Sequence, residues 1–146
     1  MLRDPSLIPL SHQHHNGLAL CVMTRRSLAA SSSSANVAKL ARRAIERYEL
    51  ELANHFEIEE QVLFPACAEM PLTALLIADH RMLESLIARL RAAPAAVLLE
   101  EFCALLSTHI RREENELFEE IQRTLPREAL DQAGAEIDRR VVRLCL

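Results

Sequence analysis

Apolar residues recur at steps of three and four along most of the chain, which is the spacing of one face of an α-helix. The clearest series consists of Ala41, Ile45, Tyr48, Leu52, His55, Glu59, Val62 and Ala66. Prolines and a run of serines interrupt such series. These breaks predict helices over about residues 11–30, 35–70, 71–92, 95–124 and 127–146, with Ser11 capping the first helix and Pro71 opening the third.

Short connections between long helices favour antiparallel neighbours. The first four segments therefore predict an all-α fold, an up-and-down antiparallel four-helix bundle over about residues 11–125. The last segment predicts an additional C-terminal helix over about residues 127–146, placed on the outside of the bundle or in a homodimer contact. We expect a single domain that spans residues 1–146.

Composition agrees with this fold and argues against other classes. Of the 146 residues, 50% are hydrophobic and 26% are charged, which is enough apolar surface for one core and too little charge for a disordered chain. With two glycines, four phenylalanines, one tyrosine and no tryptophan, the chain fits neither a β-sandwich nor a glycine-rich nucleotide loop. The net charge of −4 provides no basic surface for nucleic acid.

The cysteines and the apolar runs predict a compartment. The four cysteines include no Cys-x-x-Cys pair, and the first residues lack the apolar stretch of a secretory signal. No apolar run approaches the ~20 residues that span a bilayer. We therefore expect a cytoplasmic protein that binds neither nucleic acid nor membrane.

Two of the predicted helices carry the same local sequence, H-φ-x-x-E-E-x-x-L-F, where φ is apolar. One copy starts at His55 and contains Glu59, and the other starts at His109 and contains Glu113. Residues i and i+4 lie on one helix face, so each copy directs an imidazole and a carboxylate into the bundle. A single pair of this kind is common as a surface salt bridge, but the repeated pair indicates a shared site.

The other two helices add further histidines. His80 lies on the apolar stripe of the third helix, and the first helix contains His12, His14 and His15 near its start. Both His14 and His15 fit an apolar stripe of that helix. We prefer His15 as the inward residue, with His14 as the alternative, and we expect His12 in the opening turn to be exposed or to lie behind the site.

Four imidazoles and two carboxylates inside a bundle indicate a metal site. Two unpaired carboxylates in a core are costly because each is desolvated and because they repel each other. A pair of divalent cations bridged by Glu59 and Glu113, with histidines at the outer positions, removes both penalties. Mixed imidazole and carboxylate ligands suit iron or manganese, whereas zinc is less suited because no cysteine joins the set.

At these residues the chain resembles the hemerythrin-like, or HHE cation-binding, family. The likeness covers about residues 9–125, and the matching pieces are 9–18, 55–65, 79–80 and 109–118. The resemblance implies the bundle already predicted and a non-haem di-iron centre, for which manganese or zinc could substitute. It implies that His55, His80 and His109 are terminal iron ligands and that Glu59 and Glu113 are bridging carboxylates. One first-helix histidine completes the implied set.

Two positions depart from the oxygen-carrying hemerythrins. Glu84 stands where they have a second third-helix histidine, and Glu114 stands five residues after His109, where they have an aspartate. The four-histidine, two-glutamate pattern is more similar to bacterial iron–sulfur-cluster repair proteins and iron-sensing domains of the family. Glu84 either ligates one iron or lies on the flank of the site. Glu60 and Glu114 are expected to be solvated carboxylates, with acceptance of a histidine N–H as the alternative.

These features predict a di-iron, metal-binding protein that binds or senses a small ligand such as dioxygen, nitric oxide or peroxide. The alternative is an activity at the same centre: iron handling, repair of iron–sulfur clusters, or reduction of nitric oxide or peroxide. The residue pattern by itself does not decide between a binding protein and an enzyme.

Overall fold

The structure, a computed structural model, describes residues 1–144. Within this part of the chain all regular structure is helical, and it forms five helices. Helix α1 is Ile8–Ala30, α2 covers 34–66, α3 is Pro71–Ala92, α4 covers 96–124 and α5 is Arg127–Arg140. Around the bundle α1 packs on α4, α4 on α3, α3 on α2 and α2 on α1. The predicted fold class, a four-helix bundle with an additional C-terminal helix, is confirmed.

Two of the helices contain turns of π-helix. In α2 these turns are Tyr48–Leu52 and Glu59–Leu63, and in α4 the turn is Glu113–Leu117. The residue after each turn donates its backbone N–H to the carbonyl five residues earlier, as Phe64 does to Glu59. Each π turn accommodates one extra residue, which changes the residues that face the core beyond it. Two such turns begin at the glutamates of the repeated sequence.

The first π turn of the repeated sequence changes which side chains are buried in α2. The α-helical spacing predicted Val62 and Ala66 on the inward stripe, but Val62 is half-buried and Ala66 is exposed. Leu63 and Phe64 are buried instead. The predicted stripe is therefore wrong after Glu59, by the one residue that the π turn inserts.

The apolar interior consists of two clusters, one toward each end of the bundle. One cluster contains Leu20, Leu52, Leu83, Leu99 and Leu106 among its buried residues. The other includes Leu10, Leu63, Leu76, Phe118 and Ile137. Along every bundle helix a buried histidine or glutamate lies between the residues of the two clusters. The candidate site is therefore a polar layer between two apolar cores.

The ends of two helices differ from their predicted positions. Helix α1 begins at Ile8 because Pro9 is tolerated in the first turn, so Ser11 lies inside the helix and does not cap it. Helix α5 ends at Arg140, not at Leu146, because the Asn54 side chain donates to the Arg140 carbonyl at 3.0 Å and accepts the Val142 N–H at 2.9 Å. Residues 145 and 146 lie outside the described residues, so the predicted extension of this helix to residue 146 is not described there.

Helix α5 and the N-terminal arm, residues 1–7, pack together against one end of the bundle. Gly134 allows this contact, because a Cβ at that position would lie 2.5 Å from the Ser6 Cβ and 2.9 Å from the Ser6 Cα. Arg127 pairs with Asp4 at 2.6 Å, and its hydrogen bond lowers the pKa of Asp4 to about 2. The apolar face of α5 is thus buried within its own chain, and a homodimer through this helix stays a prediction.

Cys21, Cys67 and Cys103 are buried free thiols. Among the described helices, none has the length and apolar character needed to cross a membrane.

Candidate metal centre

Six polar side chains from all four bundle helices converge in the layer between the two cores. His14 comes from α1, His80 from α3, and each copy of the repeated sequence supplies one histidine and one glutamate: His55, Glu59, His109 and Glu113. None of the six is more than 3% exposed. Such burial of titratable groups is rare unless the groups are paired or bind a metal.

The six side chains form two groups that could each hold one ion. One group is His14, His55, Glu59 and Glu113, and the other is Glu59, His80, His109 and Glu113. Within each group the ligand atoms all lie within 4.8 Å of one another. Glu59 and Glu113 belong to both groups, so the arrangement has the form of two adjacent positions bridged by two carboxylates.

The Nε2 atom of every histidine in the layer faces a carboxylate. His55 Nε2 lies 3.2 Å and His80 Nε2 lies 3.1 Å from Glu59 Oε1. On the other side, Glu113 lies 2.7 Å from His109 Nε2 and 3.0 Å from His14 Nε2. The four imidazoles therefore all present the same nitrogen to the middle of the layer.

The opposite nitrogen, Nδ1, of each histidine has its own hydrogen-bond acceptor. The Nδ1 of His14 is 2.7 Å from Glu114 and the Nδ1 of His80 is 2.8 Å from Glu60. These two acceptors are the second glutamates of the repeated sequence, and they lie in the π turns directly after Glu59 and Glu113. The expectation that Glu60 and Glu114 are merely solvated is wrong, and the alternative of a histidine N–H acceptor is correct.

The Nδ1 atoms of the remaining two histidines form hydrogen bonds with the residues that directly precede His14 and His80 in the chain. His55 Nδ1 is 2.8 Å from Gln13 Oε1, and His109 Nδ1 is 3.0 Å from Asp79 Oδ2. Because all four outer partners are acceptors, each Nδ1 carries a proton, and in its neutral form each histidine presents the Nε2 lone pair inward. Gln13 and Asp79 were missed from the sequence, although each directly precedes a predicted or alternative ligand.

With neutral imidazoles and ionised carboxylates, the middle of the layer therefore contains hydrogen-bond acceptors that face one another. Four of its buried atoms have no hydrogen-bond partner, and they are His55 Nε2, His109 Nε2, Glu59 Oε2 and Glu113 Oε1. His109 Nε2 and Glu113 Oε1 lie 2.7 Å apart but do not align as donor and acceptor. Convergent lone pairs without donors need either protons or cations, so the donor set fits a pair of metal ions.

The two shared carboxylates have pKa values displaced in opposite directions. Burial and the nearby Glu113 raise the pKa of Glu59 well above its ordinary value. Burial also disfavours the charged form of Glu113, but the adjacent His109 holds the pKa of Glu113 well below its ordinary value. In the absence of a cation, burial and the neighbouring carboxylate therefore favour a proton on Glu59, whereas the adjacent His109 favours the charged form of Glu113.

The histidines divide in the same way. Burial and His14 lower the pKa of His55, while burial and His109 lower that of His80 to about 4. Burial opposes the charge on His109 as well, but Glu113 raises its pKa to about 12. The carboxylates beside His14 likewise outweigh burial and raise its pKa. The metal-free layer thus carries protons at positions that a cation would occupy.

Aromatic rings cover the histidines. Phe56 and Phe64 stack on His80, with ring centroids 4.0 Å and 5.6 Å apart, and Phe118 stacks on His14 at 5.4 Å. These contacts close the layer against water from both apolar clusters. Any ligand that reaches the middle must therefore be small.

Three other residues weighed as ligands lie elsewhere. His15, the preferred first-helix ligand, and His12 are both exposed, and the structure places His14 in the layer instead. Helix α1 starts earlier than predicted, and its buried stripe passes through His14. Glu84 lies on the flank of the bundle and pairs with Arg81 at 2.6 Å.

Comparison with known proteins gives one match. A sequence model described as the Hemerythrin HHE cation binding domain matches residues 7–121. The search of curated proteins produced no match, and the search of solved structures also produced none. The matched residues contain all six side chains of the layer and all four acceptors of the histidine Nδ1 atoms.

Proposed function

The chain belongs to the hemerythrin HHE cation-binding family, and from this membership and the geometry of the layer we propose that it holds two iron ions and binds or senses a small ligand. The candidate ligands are dioxygen, nitric oxide and peroxide. The observation that carries the proposal is the sharing of Glu59 and Glu113 by two four-residue groups of ligand atoms. Metal binding itself follows from the family and the buried cluster. The two irons and the small ligand are the proposed part.

Iron is favoured by the chemistry of the donors. Each position has two imidazole nitrogens and two shared carboxylates, and neither position has a thiolate. Such mixed nitrogen and oxygen sets suit iron or manganese, and they supply fewer donors than the six of an octahedral ion. When bound, a pair of ferrous ions would supply electrons and free coordination positions for a small oxidising ligand.

The protein's own residues would perform three tasks. Glu59 and Glu113 hold the two positions next to each other. Outer acceptors such as Glu60 and Glu114 fix the histidine rings and keep the proton on Nδ1, so that Nε2 is free to ligate. Phe56 and the other rings exclude water and limit the size of what enters.

The first experiment is to measure metal content. The purified chain is stripped of metal, loaded with Fe(II) without oxygen, desalted and analysed by mass spectrometry. We expect two irons per chain. One iron per chain would contradict the bridged pair, and no retained iron would contradict the proposal as a whole.

Histidine variants connect this stoichiometry to the layer. We expect His55→Ala and His109→Ala to lose iron while circular dichroism still shows a folded bundle. His15→Ala is the matched control, because this exposed histidine lies on the same helix as His14, outside the layer. Full iron retention in both layer variants would refute the assignment.

Ligand binding is tested on the iron-loaded chain. An absorption band that appears in air and bleaches under vacuum would support reversible binding of dioxygen. Consumption of many equivalents of nitric oxide or peroxide per chain would instead support the alternative of a reducing activity. No spectral change with any of the three would contradict the small-ligand part of the proposal.

A further inference from the structure

The hydrogen bonds around the layer repeat between the two halves of the bundle. The hairpins α1–α2 and α3–α4 use equivalent residues for equivalent tasks, and the pairs are His14 and His80, His55 and His109, Glu59 and Glu113, Glu60 and Glu114, and Gln13 and Asp79. Within each hairpin, the residue before the first histidine accepts a hydrogen bond from the Nδ1 of the second, as Gln13 does from His55. Between the hairpins, the second glutamate of one accepts from the Nδ1 of the first histidine of the other, as Glu60 does from His80.

This internal two-fold repeat is broken at one of the five pairs. Asp79 provides a carboxylate to His109, whereas the equivalent Gln13 provides an amide oxygen to His55. The orientation of the Gln13 amide is fixed, because its Nε2 donates to Asn54 Oδ1 at 3.0 Å and to the Val142 carbonyl at 3.1 Å. Gln13 is only 2% exposed, so water does not replace these partners.

The segment after α5 explains why an amide occupies this position. The Asn54 and Val142 oxygens that face the nitrogen of Gln13 are both acceptors. A carboxylate at position 13 would oppose them without a proton to donate. Asn54 of α2 and Val142 of the segment after α5 therefore together require a donor at position 13, and the amide that supplies it is the weaker partner for His55.

The chemical consequence is that the two metal positions are unequal. A carboxylate that accepts the Nδ1–H of an imidazole makes its Nε2 a stronger metal donor than an amide does. In the position formed by His80 and His109, both rings have carboxylate partners. In the other position His14 has Glu114, but His55 has only the amide of Gln13.

We propose that the position formed by His80 and His109 fills first and holds its ion more tightly, and that Gln13 makes the position formed by His14 and His55 the exchangeable one. This inference rests on the proposed two-metal function and adds an order to it. Removing one outer-shell partner typically changes metal affinity by about 10–100-fold, so we expect a preference of roughly 10-fold.

The test follows the filling of each position directly. Metal-free protein with ¹⁵N-labelled histidines is titrated with Zn²⁺, which is diamagnetic, and NMR signals are assigned with single histidine variants. At one equivalent we expect the Nε2 signals of His80 and His109 to have moved to metal-bound positions. Those of His14 and His55 should move mainly during the second equivalent. An anaerobic Fe(II) titration followed by native mass spectrometry should show the one-metal species accumulating.

Two variants test the role of the unequal pair. Asp79→Asn gives both positions an amide partner and should reduce the preference to about 3-fold or less. Gln13→Glu gives both positions carboxylate partners and should also reduce the preference, although it loses the two hydrogen bonds that the Gln13 amide donates to Asn54 and Val142. Glu116→Gln, on an exposed residue of α4, is the control and should leave the order unchanged. Circular dichroism verifies that each variant is folded.

The outcomes separate this inference from the proposed function. If two ions bind but all four histidines respond together, or if His14 and His55 respond first, the inference is overturned and the two-metal function stands. An unchanged preference in both Asp79→Asn and Gln13→Glu would also overturn it. If no ion or only one ion binds, the two-metal function itself fails.

Discussion

Replacing Glu59 with glutamine should stabilise the metal-free protein while destroying its capacity for two metals. Glu59 is fully buried, and its Oε1 lies 3.2 Å from His55 Nε2 and 3.1 Å from His80 Nε2. Both histidines have lowered pKa values and therefore present lone pairs near neutral pH. The amide nitrogen of a glutamine in that place has two N–H groups to donate to them.

The size of the effect follows from counting donors. The protonated carboxyl group of Glu59, which its raised pKa favours, has one O–H to donate to the two histidine acceptors. The glutamine amide has two N–H groups to donate and does not titrate. One additional buried hydrogen bond amounts to about 0.5–1.5 kcal/mol. For a chain of this length the melting temperature should rise by about 2–5 °C.

Thermal unfolding monitored by circular dichroism, with a chelator present, measures the change. Glu57→Gln is the matched control, because Glu57 is exposed on the same helix and its replacement adds no buried donor. With Fe(II) present the order should reverse, since Glu59→Gln no longer gains the stability that two bridged ions confer. If Glu59→Gln melts at a lower temperature than the parent chain in the presence of chelator, the hypothesis that the metal-free layer lacks hydrogen-bond donors is refuted.

Three further predictions test other parts of the structure. Metal affinity should rise with pH, because the raised pKa values of His14 and His109 keep protons on these rings near neutrality and a cation must displace those protons. Fe(II) titrations between about pH 6 and 8 measure this dependence, and an affinity that does not change with pH would contradict it. Gly134→Ala should destabilise the chain by about 1–3 kcal/mol in urea unfolding, because the new Cβ would displace Ser6, and this cost exceeds the better helix propensity of alanine. Adding Ser6→Gly to this variant should restore part of the lost stability. Arg3→Ala should lower the free energy of unfolding by about 1–2 kcal/mol in the same assay, because the Arg3 guanidinium donates to the Glu114 carbonyl at 2.8 Å. Unchanged stability would show that this contact is not needed.

The bundle could be predicted from the sequence because its signals are local. Proline at position 71 and the polar connection before α2 separate stretches whose apolar spacing is strongly helical, and the observed starts of α2, α3, α4 and α5 lie at or within one residue of those predicted. Five of the six side chains in the layer could be named for the same reason: in the repeated sequence His55, Glu59 and their counterparts occupy the inward stripe, and His80 lies on the stripe of α3.

The choice between His14 and His15 was not decidable from local spacing. Neighbouring residues on a helix differ by about 100° in direction, and each had a plausible stripe. The stripe that would carry His15 passes through Val22, which is 49% exposed, whereas that of His14 passes through the buried Cys21. This difference depends on how α1 packs on α4, which no local pattern reveals.

The π turns and the outer acceptors were also beyond local reasoning. A π turn has no propensity signal of its own, and the turns that begin at Glu59 and Glu113 change the inward-facing residues only beyond those positions. The partners of the histidines are distant in sequence: Glu114 holds His14 from 100 residues away. The one available hint was the repetition of two consecutive glutamates.

The division of the interior into two apolar clusters determines how the chain should unfold. Small domains lose their structure in one step when a continuous core couples all their parts. Here the metal-free protein has a polar layer at its middle in which four buried atoms lack a hydrogen-bond partner, so the two ends are coupled mainly through the helices that run past it. Amide hydrogen exchange of the metal-free chain should resolve two opening units, one at each end. An ion held by side chains of several helices joins the ends, so that metal loading converts two folding units into one.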